Sequence, residues 1–249
     1  MQDTPLNDIR IGQASQHWAK AQNLPVRYFV ETDSTNLQAK NEAFSETCLS
    51  EHVVVYFADH QTAGRGRGQN TWVSPRIGSQ LLSTWSFMIE QAPLPVVSPL
   101  VGLALYKAAV ATWPFLDWNL KAPNDLFIAG KKVAGLLLET VSQGNDHRLL
   151  VGLGFNVTVS PPLPQATSLV QNLTVDTPLL GQDWISFLER LVFEISLAIQ
   201  MSFEELNTTS RVSLLAALNQ HPLLEEDYTG IDEQANLKTD SRQISWTQL

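Results

Sequence analysis

Residues 53–58, Val-Val-Val-Tyr-Phe-Ala, form an unbroken β-branched and aromatic run, and residues 59–75 follow it as Asp-His-Gln-Thr-Ala-Gly-Arg-Gly-Arg-Gly-Gln-Asn-Thr-Trp-Val-Ser-Pro. The run predicts a buried strand. Its end delivers a loop where open α/β sheets usually hold ligands. Gly64, Gly66 and Gly68 can take backbone angles closed to other residues, so successive N–H groups can turn inward on an anion. Arg65 and Arg67 add planar cationic forks. The same alternation also suits a flexible surface loop or part of a nucleic-acid-binding tail. It lacks the Gly-x-x-x-x-Gly-Lys-Ser/Thr of a P-loop and does not open an obvious helix as a dinucleotide fingerprint does, which disfavours standard nucleotide folds.

Two further segments narrow the reading. In 120–128, Leu-Lys-Ala-Pro-Asn-Asp-Leu-Phe-Ile, two short strands flank a turn, and Gly130 to Glu139 continues as another strand. Pro123-Asn124-Asp125 is ordinary turn chemistry, and Lys131-Lys132 at the next turn reads equally well as solvated charge. Lys121, between Trp118-Asn119-Leu120 and a proline, is better placed to face a site. Val151-Gly152-Leu153-Gly154-Phe155-Asn156-Val157 is a strand interrupted by two glycines, a sign of a bulge or of close approach by a ligand.

These segments together resemble the biotin protein ligases. Asp33-Ser34-Thr35-Asn36 is similar to the family's Ser-Thr-Asn, and Gln61 to Trp72 to its Gln-x-Ala-Gly-Arg-Gly-Arg-x-x-x-x-Trp. Lys121 to Leu126 resembles Lys-Trp-Pro-Asn-Asp-Leu, and Gly152 to Asn156 resembles Gly-x-Gly-x-Asn. The match spans residues 28–157, about half of the chain, with all four motifs in order.

The resemblance implies a reaction and its substrates. ATP and magnesium would activate biotin to biotinyl-5'-AMP, which then acylates a lysine of a biotin carboxyl carrier protein. Biotin would contact Ser34, Thr35, Asn36, Gln61, Gly64, Arg65, Gly66, Arg67, Trp72, Lys121 and Gly135. The nucleotide would contact Arg67, Gly68, Trp72, Lys121, Asn124 and Asn156. Arg67 and Lys121 are the expected catalytic cations, because a carboxylate and a phosphate must be brought together and their transition-state charge held. Thr35 with Gln38 also reads as a helix-opening capping box, and Trp72 as either a ligand cover or a core anchor. The segment Thr158 to Thr167, with Pro161, Pro162 and Pro164, lies where the family folds over adenine. The protein ligands of magnesium stay unassigned, since that ion often keeps waters and borrows phosphate oxygens.

The chain departs from the family pattern in three places. Ala122 replaces the usual tryptophan, and the usual Arg-Arg-Gly-Arg reads Arg67-Gly68-Gln69-Asn70, so two positive charges are absent. Beyond residue 205 the tail is too short for the family's SH3-like barrel. It predicts a helix at 208–219 and a two- or three-stranded remnant from Gly230-Ile231-Asp232, Ala235-Asn236-Leu237 and Ile244-Ser245-Trp246.

Strand-like runs at 26–31, 53–58, 81–89, 117–128, 133–141 and 148–159 alternate with expected helices at 34–44, 96–112 and 182–200. This predicts an α+β (α/β-type) fold. The resemblance makes it a mixed central sheet with packed helices, with residues 1–205 as the catalytic domain and 206–249 as a short appendage. The 249 residues, 44% of them hydrophobic, are enough for one such domain. Cations and acids balance at eleven each through residue 132, so the net charge of −9 comes from the remainder, five against fourteen. An acidic back half, and an N-terminal 25 residues too short for a helix-turn-helix, argue against nucleic-acid binding. Cys48 alone excludes an intrachain disulfide, and His17, His52, His60, His147 and His221 lack metal-like spacing. With no leader and no membrane-length apolar run, the expectation is a cytoplasmic protein without a membrane partner. A homodimer is left open. A lipoate or octanoate ligase or transferase of the same fold, or a biotin-binding sensor that no longer transfers, are the alternatives.

Overall fold

The computed structural model describes residues 9–232 and 236–246. In chain order the first elements are α1 (Ile11–Ala21), β1 (Val26–Phe29), α2 (Thr35–Glu42), α3 (Glu46–Leu49), β2 (Val53–Ala58) and β3 (Gln80–Ile89). Then come α4 (Val97–Thr112), β4 (Trp118–Lys121), β5 (Asp125–Ile128), β6 (Lys131–Gln143) and β7 (Asp146–Asn156). The chain closes with α5 (Gly181–Met201), α6 (Thr208–Asn219), β8 (Gly230–Ile231), β9 (Leu237–Lys238) and β10 (Gln243–Ile244). The expected strands and helices are present, and the fold is a mixed sheet of seven strands with packed helices and a small C-terminal sheet. The described residues form two compact units, one within 1–92 and 133–185 and one within 93–132 and 186–249.

In the first unit the strand order is β1-β2-β3-β7-β6, with β1 parallel to β2 and the other pairs antiparallel. β2 is apolar at every position because both of its faces are covered. Val54 and Tyr56 pack with Ala39, Cys48 and Leu150 beneath α2 and α3. On the opposite face Phe57 meets the Trp85 ring edge-on at 5.9 Å, and Trp85 lies 6.0 Å from Trp18 of α1. Burying rings of this size is the main stabilisation of that layer.

α1 was not among the expected helices. Only Ile11 and Trp18 are large apolar residues in it, but burial falls on Ile11, Ala14, Ser15, Trp18 and Ala19, the three-to-four spacing of a helix face. Gly12 lets it approach β2, since a methyl group there would meet the Ala58 carbonyl oxygen at 2.7 Å. Arg148 of β7 is 1% exposed, yet every neighbour it bonds is neutral: Ser86 Oγ at 2.8 Å, Ser86 O at 2.7 Å, Cys48 O at 2.7 Å and Glu51 O at 3.1 Å. Burial holds its guanidinium below the usual arginine range. Three backbone carbonyls and one hydroxyl thus turn their oxygen ends to the charge and offset part of its desolvation.

In the second unit α4 is buried along most of its length, and Gly102 brings it onto the turn after β4, where a methyl group would meet Pro123 O at 2.9 Å. β4 and β5 pair as the expected antiparallel hairpin. Trp113 lies 5.3 Å from Phe187 and 6.2 Å from Trp118. α6 coincides with the expected 208–219 helix, its N-terminus capped by the Asn207 side chain accepting from Ser210 N at 2.9 Å. The expected remnant is an antiparallel sheet of three two-residue strands, β10-β9-β8. Ala235 lies outside the described residues.

Candidate functional site

The glycine–arginine loop is a closed hairpin. Trp72 N donates to Gly64 O at 3.0 Å, Gly66 N to Asn70 O at 2.8 Å and Asn70 N to Arg67 O at 3.1 Å, with Arg65 bridged to Thr71. One of the amides expected to cradle an anion, that of Gly66, is therefore used inside the loop. Gly68 is at its tip with φ +61°, a left-handed angle that a side chain would strain. Arg67 is half-buried, and Arg65 pairs with Glu139 of β6 at 3.3 Å.

The start of α2 faces this loop through side chains. Ser34 has extended angles, φ −158° and ψ 132°, at the N-cap position, yet its hydroxyl makes no capping bond. Thr35 is capped from outside: its amide and its hydroxyl both donate to Gln61 Oε1, at 2.7 and 3.0 Å. The expected Thr35–Gln38 capping box is not formed. Gln38 Nε2 instead donates to Asp33 Oδ1 at 2.9 Å and Thr32 Oγ1 at 3.0 Å, on a segment that runs on from β1 and bridges in parallel to Gln61. Asp33 also accepts from Ser34 N at 2.6 Å. The Gln38 and Ser34 bonds hold its carboxyl below the usual carboxylate range.

The two glycines of β7 admit side chains of the chain itself. Asn36 lies over Gly152 and the Trp72 indole over Gly154, so closely that a methyl group at either glycine would overlap them. Gly135 faces Gly154 across the β6–β7 ladder. Asn36 is 4% exposed, accepts from Thr84 Oγ1 at 2.6 Å and donates to Glu139 Oε2 at 3.0 Å. Trp72 thus covers the sheet beside the loop, and its indole N–H is buried without a partner. Asn156 at the end of β7 is 2% exposed, with its amide oxygen accepting from Gln80 Nε2 at 2.6 Å and its nitrogen donating to Thr167 O at 3.0 Å. It pins the end of the proline-bearing segment 158–167.

In the second unit Lys121 ends β4, exposed, with its ammonium 5.9 Å from the Phe127 ring centroid. Its register partner Asp125 pairs with Lys132 at 2.7 Å, so Lys132 has a fixed carboxylate partner. Asn124 is 5% exposed in the turn between β4 and β5. His221 packs edge-on against Phe127 at 4.8 Å, and burial first, then Lys121, holds its imidazole below the usual histidine range.

Glu139 and Thr84 were not among the expected site residues. Glu139 carried one signal, an acid on an otherwise apolar strand run. Thr84 carried none, because threonine is ordinary in a strand.

Residues 28–156 match the model of the biotin/lipoate A/B protein ligase family. The biotin (acetyl-CoA-carboxylase) ligase of Paracoccus denitrificans is 37% identical over 135 residues, covering 52% of this chain and 53% of that protein. The biotin–protein ligase of Homo sapiens is 31% identical over 145 residues, 54% of this chain and 19% of that protein. The chain thus spans about half the length, or less, of the curated relatives it matches. Among solved structures, biotin protein ligase from Aquifex aeolicus in complex with biotin and ATP superposes with a TM-score of 0.65 at 22% identity, over 89% of this chain and 95% of that one.

Proposed function

The chain belongs to the biotin/lipoate A/B protein ligase family, and from that premise we propose that it activates biotin with ATP and transfers it to a lysine of a biotin carboxyl carrier protein. The observation that carries the substrate choice is Ser34. It is 3% exposed and stands at the positive end of α2, and its hydroxyl is not used to cap the helix. An uncommitted hydroxyl beside Gln61 and the Gly64–Trp72 hairpin suits a small neutral ring of donors and acceptors such as the biotin ureido group. The half of the site assigned to the carboxylate holds Arg67 together with Arg65, whose charge is paired with Glu139 at 3.3 Å.

In the first step a biotin carboxylate oxygen attacks the α-phosphorus of ATP and pyrophosphate leaves. Arg67 and Lys121 are the cations assigned to the charge that develops on the phosphoryl oxygens. In the second step the neutral amine of the carrier lysine attacks the acyl carbon of the mixed anhydride and AMP leaves. Asn124, Asn156, Gly68 and Trp72 are assigned to the nucleotide, and Thr35, Asn36, Gly64, Gly66 and Gly135 to the walls around biotin. Residues 1–205 act as the catalytic part and 206–249 as the appendage. Among the described residues no three His, Cys, Asp or Glu side chains gather to hold a metal ion. Magnesium enters with the nucleotide as MgATP. No described helix is long and apolar enough to cross a membrane.

Incubation with MgATP and either biotin or lipoate, followed by mass analysis, tests this reading. It requires biotinyl-5'-AMP in the first mixture. Lipoyl-AMP alone would move the chain to the lipoate branch of the family.

A further inference from the structure

We propose, on the footing of the biotin-activation reading, that Glu139 is a positioning residue: it anchors the glycine–arginine loop to the sheet and thereby sets how long an anionic acyl-adenylate is retained. The carboxylate serves two donors at once, Asn36 Nδ2 at 3.0 Å and Arg65 Nη1 at 3.3 Å. Asn36 is itself fixed. Its oxygen accepts from buried Thr84, its nitrogen also reaches Leu137 O at 3.4 Å, and it lies against Gly152, where no side chain competes for the space.

An exposed arginine–carboxylate pair is ordinarily worth little, because two long side chains must be immobilised and solvent screens them. Here one side chain is already immobilised. Glu139 is 20% exposed against 48% for Arg65, and the Asn36 bond orients its carboxylate before Arg65 arrives. Arg65 sits at the base of the hairpin, opposite Thr71, whereas the bonds from Gly66, Asn70 and Trp72 close the hairpin on itself without tying it to β6. Three glycines make this loop costly to order, so an external anchor at its base changes its ordered population more than a bond at its tip would. Glu139 also neutralises Arg65, which leaves the anion to the remaining loop cation and the backbone.

The test compares E139Q, R65Q and the double variant. E139Q keeps an acceptor for Asn36 and loses the charge that Arg65 needs. Hydrogen exchange of the 64–72 amides in the ligand-free protein should accelerate about two- to fivefold in E139Q and equally in R65Q, the range for a pair of this kind. The double variant should be no faster than either single one. In turnover, E139Q should raise the KM for biotin and the escape rate of biotinyl-AMP by a similar factor while kcat at saturation stays within about twofold. Unchanged loop exchange in E139Q, or effects of the two substitutions that multiply, would overturn the proposal. If E139Q does not fold, R65Q alone decides through the same exchange measurement. A wild-type protein that forms no acyl-adenylate would defeat the functional reading and leave the exchange result to judge the anchor.

Discussion

The Thr35 amide donates to Gln61 Oε1 at 2.7 Å, so the first turn of α2 is capped by a side chain 26 residues later in the chain. The same oxygen accepts the Thr35 hydroxyl. Gln61 thereby satisfies one of the orphan donors of the first turn, while the Ser34 hydroxyl makes no capping bond. Gln61→Ala should therefore lower stability by about 0.5 to 2 kcal/mol, the range for a lost cap, while Ser34→Ala should leave the melting temperature nearly unchanged.

Ser34→Ala should instead weaken biotin by about 1 to 3 kcal/mol, through loss of a partner to a buried polar group, with little effect on ATP. Calorimetry with each ligand separates the two. Equal losses for both ligands would remove Ser34 from the biotin wall.

Lys121→Ala should keep the fold, because the side chain is exposed and lies over the Phe127 ring at 5.9 Å from its centroid. Adenylation should fall by about a hundred- to a thousandfold, the effect of removing one group aimed at transition-state charge. Lys121→Arg should recover part of it, given the different head geometry. Single-turnover formation of the adenylate measures both, and near-normal turnover by the alanine variant would end the assignment.

Gly154→Ala places a methyl group in the space of the Trp72 indole. The ring has to leave the sheet, which should cost about 1 to 3 kcal/mol by overpacking and open the loop. Denaturant melts and loop exchange rates check this. Restoring charge to the loop is better done with Gln69→Arg and Asn70→Arg than at Gly68, whose φ of +61° disfavours any side chain. The pair should slow escape of labelled biotinyl-AMP at low salt and less so at moderate salt.

His221 is held neutral by burial, with Lys121 opposing its protonation and Asp125 favouring it. Its Nδ1 accepts from Leu223 N at 3.2 Å. A folded value below the unfolded one means that the unfolded chain binds the extra proton, so this group removes stability as pH falls below about 6.5 toward the lower folded value. Urea melts at pH 7.5 and 5.5 should show a smaller acid loss in His221→Asn than in the wild type. An identical slope in both would exclude this group as a source of acid sensitivity.

The strands expected at 53–58 and 81–89 were legible because β-branched and aromatic runs of that length favour buried strand, and the long α4 and α5 because apolar residues fill them. Gly64 to Trp72 announced a special loop by composition alone. α1 stayed hidden because its buried face is built largely from alanine, serine and glycine, which look neutral until Trp18 and Trp85 meet.

What the tertiary structure alone decided is how the polar groups were divided among partners. Thr84 reaches Asn36 across 48 residues and Asn36 reaches Glu139 across 103, and no local spacing encodes such pairs. The two glycines of β7 marked a close approach from sequence, and the fold showed that Asn36 and Trp72 make it. Backbone preference and burial act over a few neighbouring residues and can be read along the chain. A buried hydrogen bond depends on which donors and acceptors the finished packing leaves facing each other, and it exists only once the sheet has formed.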